Sequence, residues 1–163
     1  MPPPLATMLT LTTYGMWLRG DVRGWVDRGR TLPPDPELEH QDRRRMPHPP
    51  FRFLPDQLLA VGQAVGTSLI YRMGLRIGAM SLQVWHLHVV IAGSDFAWPE
   101  AVKCAKDAAR WHLRPGRPIW SDGYDKRFCF DIPSVRSRIA YVERHNLDNG
   151  WPAKPWPFIQ DIV

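Results

Sequence analysis

The chain has 163 residues, 44% hydrophobic and 23% charged, so it can bury a core and reads as one domain, residues 1–163. Lys and Arg number 21 against 16 Asp and Glu, a net charge of +5 that suits a polyanionic partner and equally suits an ordinary solvated surface. Two cysteines make no disulfide framework, no apolar run nears the ~18 residues of a membrane span, and Met1-Pro-Pro-Pro-Leu5 does not open like a signal peptide, so a soluble cytoplasmic protein is expected.

Leu5–Leu18 mixes Thr, Leu, Met, Tyr and Trp with partial alternation and predicts a first strand. It runs into Arg19–Asp27 (RGDVRGWVD), a glycine-punctuated loop. That loop either presents Arg19, Arg23 and Trp25 to a ligand or is a surface turn with a packed Trp. Residues 29–55 are proline-rich, carry Arg43-Arg44-Arg45 and keep no period; they read as a long inserted loop with a short helical piece around Glu37–Arg45. The arginine run is a solvated patch or, beside a polyanion, a phosphate contact.

Asp56–Met73 predicts a helix capped by Asp56, with Leu59, Val61, Ala64, Val65, Leu69 and Ile70 on a broad apolar face and Gly74 ending it. Leu75–Gln83 and Val84–Ala92 follow as two strands joined by a tight turn. Trp98-Pro99-Glu100 opens a second helix through about His112, and Ile119–Phe130 predicts a fourth strand. Asp131 can cap a last helix, with Pro133 in its first turn, running to about Asn146. Residues 147–163 read as an irregular tail that packs Trp151 and Trp156 back on the body. The order β-α-β-β-α-β plus a helix predicts an α+β, ferredoxin-like fold: an antiparallel four-stranded sheet whose central third strand carries two histidines, with a C-terminal helix bearing Tyr141.

Those histidines are His86 and His88, inside Val84-Trp85-His86-Leu87-His88-Val89-Val90-Ile91. On a strand they share one face, with Cβ atoms roughly 6–7 Å apart, while Trp85, Leu87 and Val89 share the other. The pair is either a half-exposed polar row or a clip for a cation. In the last helix Val135, Ile139 and Val142 form an apolar stripe, and Arg138, Tyr141 and His145 lie along its flank at one-turn spacing. Tyr141 alone reads as a half-buried core residue with a wet hydroxyl. With the two imidazoles it reads as a nucleophile, because a metal there would polarise a phosphodiester and leave positions open for substrate oxygens. His145 serves equally as a third ligand or as the group that activates the phenol. Tyr124, in the segment before the last helix, is a rival nucleophile of lower rank.

His86-Leu87-His88 on a strand, followed by Tyr141-Val-Glu-Arg-His145-Asn146 on a helix, resembles the HUH-type single-strand transposases with one catalytic tyrosine, and within these the REP-associated tyrosine transposases of the IS200-like superfamily. The opening segment Tyr14–Asp27, the Trp120…Tyr124…Arg127 stretch and Trp156-Pro157-Phe158 are similar to parts of the same family. The resemblance implies Mg²⁺ or Mn²⁺ on His86 and His88, with His145 at the third-ligand position, usually Gln or Asn in the family. It further implies that Tyr141 attacks a phosphodiester in single-stranded DNA to give a 5′-phosphotyrosine link, on hairpin-bearing element ends, by a monomer or homodimer. Arg19, Arg23, Trp25, Lys126, Arg127 and Arg138 are the expected DNA contacts. Two other functions fit the same residues. One is a non-catalytic single-stranded nucleic-acid binder, its aromatic residues serving as stacking platforms; the other is a small metal-dependent phosphodiesterase using water.

Overall fold

The computed structural model describes residues 2–163. Strand β1 is Ala6–Thr12. A short hairpin follows, β2 (Trp25–Asp27) and β3 (Arg30–Leu32), then helix α1 (Pro36–Arg45), a 3₁₀ turn at Pro55–Gln57 and helix α2 (Leu58–Met73). Strands β4 (Ile77–Leu82) and β5 (His86–Ala92) form a second hairpin. Helix α3 (Trp98–Leu113), strand β6 (Asp125–Cys129) and helix α4 (Ile132–Asp148) complete the order. The main sheet is antiparallel with order β4-β5-β1-β6, so β5 is an inner strand, as the ferredoxin-like order predicts.

Alternation along the inner strands divides the molecule into two layers of core. Leu9, Leu11, Leu87, Val89 and Ile91 point toward α2 and α3 and join Val61, Val65, Leu69, Ala105 and Ala109 in the larger cluster. Met8 and Val90 point the other way and meet Val135 and Val142 of α4, with Cys129 of β6. The two crossover helices thus cover one face of the sheet and α4 covers the opposite one.

Several boundaries differ from the sequence expectation for local reasons. Strand β1 ends at Thr12, because the chain turns at Gly15 with φ +77°, a conformation only glycine adopts cheaply. The Arg19–Asp27 stretch is a loop only as far as Gly24; Trp25–Asp27 is paired with Arg30–Leu32. The helical piece expected in the inserted segment is α1, capped by Asp35, whose side chain accepts from the Leu38 N–H at 3.1 Å. Asp56 is not a cap: it sits within the 3₁₀ turn, where the Gln57 side chain accepts from the Leu54 N–H at 3.0 Å. The fourth strand is five residues long, and before it only Trp120 makes an isolated bridge, to Thr13. Gly123, at φ +80°, interrupts any longer pairing. Trp85 precedes β5 and does not share a face with Leu87; it is half-buried against its neighbour His86.

The tail is irregular, yet seated. Trp156 packs on Gly62, Phe158 on Gly66 and Ile162 on Gly78, each in the space a Cβ would fill. The Trp156 indole donates to the Leu59 carbonyl at 2.9 Å, and the Gln160 N–H donates to the Ile77 carbonyl of edge strand β4 at 3.0 Å. Ala in place of Gly inside a helix ordinarily adds about 0.5–1 kcal/mol of stability. Here Gly62→Ala is expected to lower stability by about 1–3 kcal/mol through overlap with the indole. In a Trp156→Ala background the sign should reverse, as urea unfolding of the four proteins would read out.

Candidate active site

The site grows from strand register. Across β1 and β5, Thr12 stands opposite His86 and Thr10 opposite His88, and paired residues of an antiparallel ladder share a face. Both imidazoles therefore emerge on the face that α4 covers, and each is buried, with 5% and 6% of its surface exposed. Their ring centroids are 4.6 Å apart.

Helix α4 supplies the rest. Asp131 caps it by accepting from the Ser134 N–H at 2.7 Å, and Pro133 occupies the first turn, where it forfeits no hydrogen bond. Val135, Val142 and Asn146 are the helix residues buried against the sheet. Asn146 anchors it: the side-chain amide donates to the carbonyls of Met80 and Ala153, both at 2.9 Å. At 100° per residue, burying Val142 and Asn146 brings their neighbours Tyr141 and His145 to the sheet side of the flank. The His145 ring then lies 5.4 Å from that of His86 and 4.9 Å from that of His88. The Tyr141 ring is 5.5 Å from His88 and 4.9 Å from His145, and the residue is 42% exposed.

One nitrogen from each of His86, His88 and His145 lies within 4.8 Å of the other two, close enough for a single ion. The outer hydrogen bonds suit that use. His145 Nδ1 faces the Tyr141 carbonyl at 2.9 Å, so Nδ1 is the donor there and Nε2 is the nitrogen left to face the other rings. His88 Nδ1 is 2.8 Å from Thr10 Oγ1; with the ring donating, its Nε2 is likewise free. His86 Nδ1 is buried with no hydrogen-bond partner, the mark of a polar atom that a cation would satisfy. Burial, then the charges of His145 and Arg23, push His86 down to about 4. Burial, then His86, His145 and Arg138, push His88 down to about 3. Both rings are neutral at pH 7, the form that ligates. The donor set is all imidazole, which favours Zn²⁺, Ni²⁺ or Fe²⁺ over Mg²⁺.

The sequence-designated contacts fall in different places. Arg23 is at the site: its guanidinium stands 3.9 Å from the Trp17 ring and 5.1 Å from the Trp85 ring, and Trp85 is 4.1 Å from the His86 ring. Arg138 is on the Tyr141 flank, its guanidinium 5.9 Å from that ring. Arg127 stands opposite Met8, hence on the histidine face, and pairs with Asp125 at 3.1 Å. Lys126 stands opposite Leu9 and so on the other face, 5.5 Å from the Trp98 ring. Arg19 is held by both carboxylate oxygens of Asp42, and the Trp25 indole donates to the Pro33 carbonyl. Tyr124 precedes β6 and stacks on none of the site's rings. Thr10, Trp17 and Asn146 escaped the sequence reading. The alternation of Met8, Thr10 and Thr12 marks a polar row on β1, but which strand lies beside it is a tertiary fact.

Two measurements test this arrangement. Unfolded histidine protonates near pH 6.5 while folded His86 and His88 resist it to about 4 and 3. The unfolded chain thus binds more protons, and stability in chelator should be full above pH 6.5 and fall as pH drops toward 4.5. His86→Gln/His88→Gln should flatten that fall in urea melts. In calorimetric titration at pH 7.5, Mn²⁺ or Zn²⁺ should bind at least tenfold tighter than Mg²⁺, with His88→Ala abolishing the heat.

No family model matches the chain, and no curated protein matches it in sequence. Solved structures do match. A REP-associated tyrosine transposase bound to a REP hairpin superposes with TM-score 0.55 at 11% identity, covering 96% of this chain and 76% of that one. A candidate transposase of Deinococcus radiodurans R1 superposes with TM-score 0.41 at 15% identity, covering 89% and 93%. The chain has the fold of the REP-associated tyrosine transposase.

Proposed function

We propose that the chain, acting as one domain, is a metal-dependent transposase that cleaves and rejoins single-stranded DNA through Tyr141. The observation that carries this reading is the half-exposed Tyr141 ring on the rim of a three-imidazole group. A tyrosine with a core-packing role would be turned into the stripe of Val135 and Val142, and that stripe is already filled by aliphatic side chains.

A divalent cation held by His86, His88 and His145 would supply Lewis-acid polarisation of a non-bridging phosphate oxygen. The rest is work for the chain's own groups. Tyr141 Oη attacks phosphorus as the bond to the 3′ oxygen breaks, leaving a 5′-phosphotyrosine link and a free 3′-OH. The phenol proton passes to solvent and the departing oxygen takes one back, so no proton is gained or lost overall. Attack by a 3′-OH on the phosphotyrosine reverses the step and joins strands. Arg138 is the nearest cation to the phenol ring and offsets charge on the phenolate. Arg127 extends the basic surface on the same sheet face. The hairpin in the REP-associated neighbour makes hairpin-bearing single-stranded ends the expected substrate.

Labelled hairpin-bearing ends taken from DNA flanking the gene, incubated with protein and Mn²⁺, should give a slow-migrating covalent adduct on a denaturing gel. Tyr141→Phe should remove the adduct entirely, and His88→Ala should lower it by at least 10²-fold. Cleavage that persists in Tyr141→Phe would mean that water is the nucleophile. Binding without any cleavage would leave a single-strand binder.

A further inference from the structure

The cation held against Trp85, beside the imidazole group, is built in a way its neighbours are not. Arg23 Nε donates to Asp21 Oδ1 at 2.7 Å, and Nη2 donates to Asp21 Oδ2 at 2.7 Å and to the Met16 carbonyl at 2.6 Å. Asp21 is itself buried, and its Oδ1 also accepts from the Arg23 N–H at 2.8 Å. The planar group is then fixed in a second way, by the Trp17 and Trp85 rings. Trp17 is held in turn by its indole, which donates to the Gly24 carbonyl at 2.8 Å. Trp85 lies against His86, so the bracket ends at the imidazoles.

Three donor contacts and two rings immobilise a side chain that ordinarily carries about 2 kcal/mol of rotamer entropy, and they leave Nη1 without a hydrogen bond among the described residues. A guanidinium with one edge neutralised by a carboxylate and Nη1 still free is a pre-aimed donor for an anion. Arg19 is the contrast: also bidentate to a carboxylate, but on α1, with no ring against it.

We infer that Arg23 is a phosphate-binding residue of this site: its free Nη1 holds the phosphodiester that Tyr141 attacks, with Asp21, Trp17 and Trp85 acting as positioning residues. This rests on the transposase reading. The contact is to phosphate, so it is blind to base sequence, and it stabilises the added negative charge at phosphorus as the tyrosine attacks.

The test uses the full chain with Arg23→Gln and Arg23→Lys, and Arg72→Gln on the exposed side of α2 as the charge control. Mn²⁺ titration checks first that each variant retains its metal site. Binding of a labelled single strand in chelator, measured against salt, should show the log–log slope of Arg23→Gln smaller by about 0.7, the share of one phosphate contact on a single strand. Arg23→Lys should keep that slope, and Arg72→Gln should match wild type. In single-turnover adduct formation Arg23→Gln should be slower by about 10²–10³-fold, the loss typical of one pre-aimed donor. Arg23→Lys should be slower by at least tenfold, because an ammonium lacks the fork. A wild-type slope together with a wild-type adduct rate in Arg23→Gln would overturn the assignment and leave Arg23 a loop brace. Should wild type form no adduct, the transposase reading falls, and the salt slope alone decides whether Arg23 touches phosphate.

Discussion

Helix α4 could sit on this sheet in many rotations, and only one of them creates a site. What selects it is the seating of Asn146 against the edge strand. Its amide reaches the Met80 carbonyl on β4 and the Ala153 carbonyl in the tail, while Asn149 reaches the Leu82 carbonyl at 3.4 Å. An edge carbonyl left buried and unpaired costs about 1–3 kcal/mol, so rotating the helix by one residue would lose these bonds and expose Val135 and Val142 together. Because Tyr141 and His145 are the immediate neighbours of Val142 and Asn146, the same contacts that bury the helix fix the Tyr141 phenol and the third imidazole.

The opposite side of the site rests on a different constraint. Inner-strand pairing forces His86 and His88 out of water, and this explains their depressed basicity before any ion is considered. Two neutral imidazoles packed ring to ring are costly as acids and useful as ligands. Thr10 and the Tyr141 carbonyl orient two of the three rings through Nδ1, leaving the remaining nitrogens to converge. His145 makes the donor set all imidazole, and its side chain leaves the helix one turn after Tyr141.

The tail links these two halves. Trp156, Phe158 and Ile162 occupy the space above Gly62, Gly66 and Gly78, and the Gln160 N–H closes on β4. The strand edge beside Asn146 is thereby covered by the chain's own C-terminal residues, which protects its unpaired groups from another strand. The bracket of Asp21, Arg23, Trp17 and Trp85 stands on the loop after β1, shaped by turns at Gly15, Gly20 and Gly24.

Much of this was legible without coordinates. Period-2 alternation around His86 and His88, the Asp131 cap and the one-turn spacing of Arg138, Tyr141 and His145 are local properties, set by backbone geometry that short stretches carry within themselves. The element order follows from the same source, and with it the central place of the histidine strand. What sequence alone could not decide are the meetings between segments. That Lys126 and Arg127 part to opposite faces depends on their register with β1. That Arg19 is engaged by α1 while Arg23 lies against Trp17 and Trp85 depends on how a glycine-rich loop turns. That Thr10 orients His88 depends on which strands pair. Each is a contact across tens of residues, where the energy that chooses the partner comes from burial and hydrogen bonding in the assembled core and leaves no period in the chain to read.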